Sequence, residues 1–221
     1  MTASDAPKRV AVLISGRGSN MQALVDAAAM PGFPAEIVTV ISNRPDAPGL
    51  QWAADRGIAT AALDHKAFAD RATFDAELHQ TLAAAKIDLV ALAGFMRILT
   101  PGFVTRWQGR MINVHPSLLP LFPGLDTHAR ALEAGVKIAG CTVHFVTAEM
   151  DVGPIIAQAA VPVAAEDTPD TLAGRVLKAE HRVYPQALEW VASGQVTFAT
   201  AGTARVGAVE PGACLISPRA T

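Results

Sequence analysis

Short apolar runs alternate with helical patterns along the first half of the chain. Helical patterns near 20–29, 50–56 and from 71 onward separate the first four runs, and a short helix is expected between the fourth run and the fifth. Strands and helices that alternate at this spacing predict βαβ units and a parallel sheet. The predicted strands are 10–15 (VAVLIS), 35–42 (AEIVTVIS), 60–63 (TAAL), 88–95 (DLVALAGF) and 111–115 (MINVH).

Two helix starts are marked by polar residues. Asp70 is placed to cap a helix in which Phe74, Leu78 and Leu82 recur at four-residue spacing on one face. Thr168, followed by Pro169, predicts the start of a long helix that runs to about 192. Both helices are therefore expected to present one buried stripe.

The pattern changes in the second half of the chain. A helix near 127–134 precedes two apolar runs at 137–146 and 154–163, which a short loop joins. Such a pair predicts antiparallel strands. The fold class is therefore α/β, an open, mostly parallel twisted sheet with helices on both faces and an antiparallel C-terminal extension.

No internal repeat or linker divides the chain. We expect a flexible N-terminus over 1–8, a single domain over 9–198 and a tail over 199–221, whose sequence is rich in Gly and Ala and weakly patterned.

Composition excludes several classes of protein. The 221 residues suit one domain with an ample core, and the net charge of −2 offers no basic surplus for a nucleic-acid backbone. No apolar run approaches the roughly 18 residues of a membrane span, and the N-terminus does not have the pattern of a secretory signal. Cys141 and Cys214 have neither metal-site nor disulfide-framework spacing, so a cytoplasmic protein without a bound metal is expected.

The loop GRGSN, residues 16–20, lies between the first strand and the first helix. Backbone N–H groups at such a helix N-terminus can hold one phosphate. The dinucleotide fingerprint is absent because Met21 stands where a third glycine would be, and the P-loop ending is absent too. A monophosphate site is slightly favoured over a tight turn that merely requires glycine.

Asn113 and His115 stand one residue apart in the fifth strand and therefore point to the same face. The carboxyl ends of parallel strands gather ligands, and this pair ends near the edge where the GRGSN loop also lies. The stretch that follows is stiffened by Pro116, Pro120 and Pro123. For Asn113 or His115 alone a structural role would be favoured, but the two together favour a functional site.

Asp151, in the connector between the two C-terminal strands, is the third candidate, and His144 is expected to be structural or to support the site. No serine or cysteine has a nucleophile-elbow setting, and no cluster has catalytic metal spacing, so a nucleophile must come from a substrate. An amide and an imidazole can stabilise an oxyanion while a carboxylate supports the imidazole. Acyl transfer to a substrate amine is therefore predicted.

Six segments, in order over nearly the whole chain, carry a resemblance to a known family. They are LISGRGSN, LAGFMRIL, MINVHPSLLP, GCTVHFV, DVGPII and EHRVYP. Together they resemble the phosphoribosylglycinamide formyltransferases, folate-dependent enzymes of purine synthesis with a Rossmann-like fold. The resemblance implies formyl transfer from 10-formyltetrahydrofolate to glycinamide ribonucleotide, in a monomer or homodimer with no nucleic-acid or membrane partner.

The resemblance also implies roles for individual residues. Asn113 would hold the formyl oxygen, His115 would donate a proton and stabilise the oxyanion, and Asp151 would tune His115. Glu180 would contact the ribonucleotide. Independently of the resemblance, it lies on the helix face of Val176 and Tyr184, which is expected to be buried, so its carboxylate needs a partner, either the ligand or a nearby arginine. The ribonucleotide phosphate would lie on Gly18, Ser19 and Asn20. The folate would contact Arg71, Met96, Arg97, Ile98, Leu99, Asn113, Thr147, Ala148, Glu149, Met150 and Asp151.

Two positions depart from the family pattern. Relatives often carry a basic residue where this chain has Leu121, and some carry histidine at Asp126. Both changes lower the positive charge near the substrate cleft.

Three alternatives are weighed against this function. Methionyl-tRNA formyltransferase shares the Asn-x-His-Pro core but should add a C-terminal domain and a basic surface. Formyltetrahydrofolate hydrolase usually adds an N-terminal domain, for which a first strand at about Val10 leaves no room. A non-catalytic nucleotide-binding module would not need an oxyanion stabiliser.

Overall fold

The structure, a computed structural model of the protein, describes residues 6–199 and 204–205. Most of the predicted N-terminal segment and tail, including Cys214, lies outside these residues. The first strand begins at Lys8, and Ala204–Arg205 within the predicted tail forms a short strand.

A seven-stranded sheet organises the described chain, in the order β3-β2-β1-β4-β5-β6-β7. Its first five strands in sequence are parallel, whereas β6 pairs antiparallel with both β5 and β7, as predicted. Its strands are β1 (Lys8–Ile14), β2 (Ala35–Ser42), β3 (Ala59–Ala62), β4 (Leu89–Leu92), β5 (Met111–His115), β6 (Ile138–Phe145) and β7 (Ile155–Pro162). A separate pair, β8 (Thr197–Phe198) and β9 (Ala204–Arg205), is antiparallel.

Six α-helices accompany the sheet in the described residues: α1 (Ser19–Ala28), α2 (Pro48–Ala54), α3 (Arg71–Ala84), α4 (Pro101–Arg106), α5 (Thr127–Glu133) and α6 (Pro169–Ala192). The predicted caps are present. The Asp70 carboxylate accepts the Thr73 N–H at 2.8 Å, and the Thr168 hydroxyl accepts the Thr171 N–H at 3.2 Å. Each cap satisfies a backbone donor that the first helical turn leaves free.

The sheet separates two apolar cores. Val10, Val12 and Ile14 of β1 belong to one core, with residues of α1, α2, α5 and α6. Ala11 and Leu13 belong to the other, with residues of α3 and α4. Successive side chains of a strand point to opposite faces, so a strand covered on both faces must be apolar throughout. This requirement explains the continuous apolar runs in the sequence.

The fourth strand is shorter than predicted. It was expected over 88–95 but ends at Leu92, and Ala93 makes the last backbone bond to β1, donating its N–H to the Leu13 carbonyl at 2.8 Å. Gly94 then takes a φ of +73°, which turns the chain out of the sheet. Residues 94–99, hereafter the 94–99 segment, therefore lie beyond the carboxyl edge of the sheet rather than within it.

Cys141 lies in β6 as a fully buried core residue, and burial raises the pKa of its thiol to about 12. None of the helices in the described part of the chain combines the length and hydrophobicity that crossing a membrane would need.

Candidate active site

Strand order reverses between β1 and β4, because β2 and β3 lie to one side and β5 to the other. In open α/β sheets this reversal leaves a crevice at the carboxyl edge, where the loops after neighbouring strands diverge. The GRGSN loop follows β1, the 94–99 segment follows β4, and His115 ends β5. All three features lie at this edge, as the sequence predicted for the GRGSN loop and for His115.

Asn113 and His115 share one face of β5, and the neighbouring antiparallel strand places His144 directly opposite Asn113. The Asn113 side-chain amide lies 3.2 Å from Nε2 of His144. Asp151 reaches the same place from the turn between β6 and β7, with Oδ2 at 3.5 Å from Nδ1 of His115 and Oδ1 at 3.9 Å from Nε2 of His144. The structure therefore brings together Asn113, His115 and Asp151, and adds His144.

The protonation of His144 follows from its partners. Nδ1 lies 2.9 Å from the Phe145 carbonyl, which can only accept, so Nδ1 carries the hydrogen. Burial lowers the pKa of His144 and so favours the neutral ring, which leaves Nε2 as an acceptor. The Asn113 amide nitrogen then donates to Nε2, and the 3.9 Å approach of Asp151 is not an ion pair. His144 thereby fixes which way the Asn113 amide points.

His115 lies between two acceptors. Its Nε2 donates to the Phe122 carbonyl at 3.1 Å, and its Nδ1 faces the Asp151 carboxylate. The same carboxylate accepts the Gly124 N–H at 2.9 Å. Hydrogen on either ring nitrogen therefore finds an oxygen partner, and the imidazole is held in one orientation with only 5% of the residue exposed.

Two unusual backbone conformations build this arrangement. Phe122 has a φ of +53° and Asp151 a φ of +58°, in the left-handed region that side chains disfavour. The first turns the Phe122 carbonyl toward His115, and the second lies in the turn that presents the Asp151 carboxylate. Phenylalanine is a poor sequence signal for such a turn, so the Phe122 carbonyl could not be predicted as a partner of His115.

Within GRGSN, Gly18 is the N-cap of α1; it has a φ of +69° and supplies no side-chain cap, and Ser19 and Asn20 form the first residues of the helix. The N–H groups of the first turn therefore remain available for an anion. The Asn20 amide donates to the Glu180 carboxylate of α6 at 2.6 Å, while its own Oδ1 is buried without a hydrogen-bond partner among the described residues. This contact joins the loop to the face of α6 on which Glu180 lies.

Glu180 is 6% exposed. Burial raises the pKa of its carboxyl, while the Asn20 hydrogen bond and the charge of His115 act in the opposite direction. Within the described chain no arginine or lysine pairs with Glu180, so the arginine partner considered from the sequence is not found. A carboxylate buried with one amide partner can accept further donors from a ligand.

The residues expected to contact a folate fall in two places. Met96 and Ile98 are 69% and 56% exposed in the 94–99 segment, Leu99 is buried in the core beneath it, and Arg97 lies over the Phe74 ring at 4.4 Å. Arg71 begins α3 and is exposed. The second place is the loop after β6, which contains Thr147, Ala148, Glu149 and Met150 and leads to Asp151. The first place borders the crevice through Gly94 and Met96, the second leads to Asp151, and the folate roles stay predictions.

A cleft of about 800 Å³ opens beside the GRGSN loop, over the carboxyl ends of β1 to β4. Its lining includes Ser15, Gly16, Asn43, His65 and Met96. Among the residues that the structure describes, no group of three His, Cys, Asp or Glu side chains could hold a metal ion. The two positions that depart from the family pattern, Leu121 and Asp126, are both exposed.

This arrangement can stabilise negative charge on an oxygen. The Asn113 amide and the His115 imidazole are donors on one face, and the nearby Asp151 carboxylate can accept a proton or balance a positive imidazole. The uncapped start of α1 offers backbone N–H donors, and the Asn20–Glu180 pair lies beside it. Such donors in a partly buried site suit a reaction in which a carbonyl oxygen becomes negatively charged.

Comparison with known proteins agrees with this chemistry. A model of the formyl transferase family matches residues 8–188. Phosphoribosylglycinamide formyltransferase of Escherichia coli is 48% identical over 187 residues, which make up 85% of this chain and 88% of that protein. The trifunctional purine biosynthetic protein adenosine-3 of Homo sapiens is 51% identical over 194 residues. That alignment covers 88% of this chain, but the chain spans only 19% of the trifunctional protein.

Solved structures give the same result. Glycinamide ribonucleotide transformylase 1 from Symbiobacterium toebii superposes with a TM-score of 0.88 at 45% identity, covering 93% of this chain and 98% of that one. Phosphoribosylglycinamide formyltransferase from Brucella melitensis superposes with a TM-score of 0.82 at 55% identity, covering 87% and 100%. The predicted fold class is confirmed.

Proposed function

The chain belongs to the formyl transferase family, and from this premise we propose that it transfers a formyl group from 10-formyltetrahydrofolate to the amino group of glycinamide ribonucleotide. The products are the N-formyl ribonucleotide and tetrahydrofolate, and the step serves purine synthesis in the cytoplasm. The observation that carries the proposal is the pair of donors on one face of β5, Asn113 and His115, supported by Asp151.

The reaction needs a nucleophile that the substrate itself supplies. The ribonucleotide amine attacks the formyl carbon, a C–N bond forms, and the carbonyl π electrons move to oxygen. Asn113 donates to this oxyanion through the amide that His144 orients. His115 donates through the Nε2 hydrogen that the Phe122 carbonyl accepts in the unliganded chain. Donors that meet an oxyanion only after attack stabilise the transition state more than the ground state.

Collapse of the tetrahedral intermediate breaks the bond between the formyl carbon and N10 of the folate. The attacking amine gives up one proton and the leaving N10 takes one up, so the reaction gains and loses no proton overall. Asp151 faces Nδ1 of His115 and can support a positive imidazole while this proton moves. We assign Asp151 this supporting role.

Binding of the ribonucleotide is assigned to the helix start and to α6. The phosphate would accept hydrogen bonds from Gly18, Ser19 and Asn20, where the α1 N–H groups are free. Glu180 would accept hydrogen bonds from the sugar or glycinamide, since its carboxylate has only one described partner. The folate would lie between the 94–99 segment and the loop before Asp151.

The proposal is tested with purified protein, by following the absorbance change that accompanies folate product formation. Each substrate is omitted in turn, and a chelator is added in one arm because no metal is part of the proposal. Turnover that requires both substrates and survives the chelator is the expected result. Folate turnover without the ribonucleotide would indicate a hydrolase, and no turnover would leave a binding module.

Variants separate the roles within the site. Asn113→Ala and His115→Ala should each lower kcat by roughly 10²–10³ while substrate binding, measured by calorimetry, changes little. A large loss of ribonucleotide affinity with normal turnover of the bound complex would refute these roles. The oligomeric state, monomer or homodimer, is checked by ultracentrifugation of the same protein.

A further inference from the structure

The 94–99 segment has almost no backbone support. Ala93 makes the last bond to the sheet, and α4 begins at Pro101. Between them, no N–H or carbonyl of residues 94–99 forms a backbone–backbone hydrogen bond with any residue that the structure describes. The segment nevertheless exposes Met96 and Ile98 at the crevice. Side chains must therefore hold it in place.

The first anchor is Ser15, at the end of β1. Its hydroxyl accepts the Met96 N–H at 2.7 Å and donates to Oδ1 of Asn43 at 2.5 Å. Ser15 and Asn43 are 6% and 3% exposed, so their mutual hydrogen bond is buried, whereas the bond to Met96 is partly buried at the edge of the cleft. Because Ser15 directly precedes the GRGSN loop, it ties the start of that loop to the segment.

The second anchor is Asp75, on α3. Its Oδ2 accepts the Thr100 N–H at 2.6 Å, directly after the segment, while its Oδ1 is buried without a partner among the described residues. The residue is 3% exposed. Phe74, its neighbour on α3, supports the middle of the segment through its contact with Arg97. The segment is thus attached to two elements, to the end of β1 through Ser15 and to α3 through Phe74 and Asp75.

We propose that Ser15 and Asp75 are positioning residues for folate binding, acting through the backbone of the 94–99 segment. This inference rests on the proposed function, in which the segment contacts the folate. A segment fixed before binding loses little conformational freedom when the ligand arrives. Without an anchor it samples other conformations, and the apparent dissociation constant rises as the inverse of the fraction that stays competent to bind. Loss of one such hydrogen bond corresponds to about a tenfold change.

The test uses Ser15→Ala and Asp75→Ala in the full chain. The matched controls are Asp75→Asn, which keeps an acceptor for the Thr100 N–H, and Ser193→Ala. Ser193→Ala removes a hydroxyl that bonds the Glu189 carbonyl at the end of α6. We measure KM for both substrates, kcat, and the dissociation constant of tetrahydrofolate by calorimetry.

Each alanine variant should weaken folate binding and raise its KM by about tenfold, with KM for the ribonucleotide and kcat within about threefold of wild type. Asp75→Asn and Ser193→Ala should remain close to wild type. If both substrates weaken equally, or if only thermal stability falls, the residues are merely structural and the inference is overturned. If Asp75→Ala does not fold, Asp75→Leu, which also removes the acceptor but keeps a similar side-chain volume, replaces it, and Ser15→Ala tests the other anchor independently.

Hydrogen exchange provides a readout that does not depend on turnover. In the unliganded protein, the Met96 amide should exchange about tenfold faster in Ser15→Ala, and the Thr100 amide about tenfold faster in Asp75→Ala, while sheet amides do not change. Unchanged exchange would overturn the inference even in an active enzyme. A wild type that binds tetrahydrofolate but transfers no formyl group would refute the proposed function alone. A wild type that does not bind tetrahydrofolate would overturn both.

Discussion

His144 is not expected to contact the substrate, but its hydrogen bond to the Asn113 side chain fixes the orientation of that amide. Its Nε2 accepts from that amide at 3.2 Å and has no other hydrogen-bond donor among the described residues. His144→Leu removes the acceptor at a similar side-chain volume and leaves the amide free to rotate. The variant should therefore impair catalysis by way of Asn113, although Asn113 itself is unchanged.

The size of the effect is bounded on both sides. A neutral hydrogen bond contributes about 0.5–1.5 kcal/mol, so the smallest expected decrease in kcat is several-fold. Complete loss of one oxyanion donor costs about 3–4 kcal/mol, or roughly 10²–10³ in rate. His144→Leu should lower kcat by about 10- to 100-fold, and by less than Asn113→Ala. His144→Gln, whose side-chain oxygen can still accept from the amide, should recover most of the rate.

A double-mutant cycle on kcat tests the mechanism. In a chain that already carries Asn113→Ala, adding His144→Leu should lower kcat by less than about threefold, because the two residues act through one interaction. Urea denaturation of each variant separates unfolding from catalysis. Additive losses in the cycle would refute the reasoning, since His144 would then act by another route, such as through Asp151.

Three further outcomes are expected. Glu180→Gln should stabilise the folded chain at neutral pH and weaken ribonucleotide binding. Burial raises the pKa of the Glu180 carboxyl, so the folded state holds this proton more tightly than the unfolded state does. The stability of the wild type therefore falls as pH rises above the ordinary carboxyl pKa of 4.5. The advantage in Tm should therefore vanish below that pH, and a constant advantage would contradict the assignment. Tyr184→Phe removes hydroxyl bonds to backbone carbonyls of β4 and β5, and should cost about 1–2 kcal/mol in urea denaturation with kcat nearly unchanged. Gly153→Ala would place a Cβ 1.7 Å from the Phe145 carbonyl oxygen, so it should displace the turn that carries Asp151. We expect kcat to fall at least tenfold. Normal turnover would show that the turn can move without loss of activity.

The fold was accessible from the sequence because its main signals are local. The fifth strand matches its predicted range of 111–115, and Asp70 and Thr168 cap α3 and α6 as expected. Strand alternation alone places Asn113 and His115 on one face. The fourth strand was predicted too long because apolar composition continues to Phe95, whereas the chain leaves the sheet with the positive φ of Gly94.

The partners of the site depended on tertiary structure. The sequence by itself determined the parallel sheet, the capped starts of α3 and α6 and the amide–imidazole pair, because period-two alternation and helix capping act over a few residues. Only the folded chain decided that the Phe122 carbonyl meets His115, that His144 orients Asn113, and that Asn20 holds Glu180. These contacts join elements up to 160 residues apart in the chain, and two of them depend on register or on a left-handed turn. Local patterns carry no information on such pairings, because their energies arise only once the sheet and helices have packed.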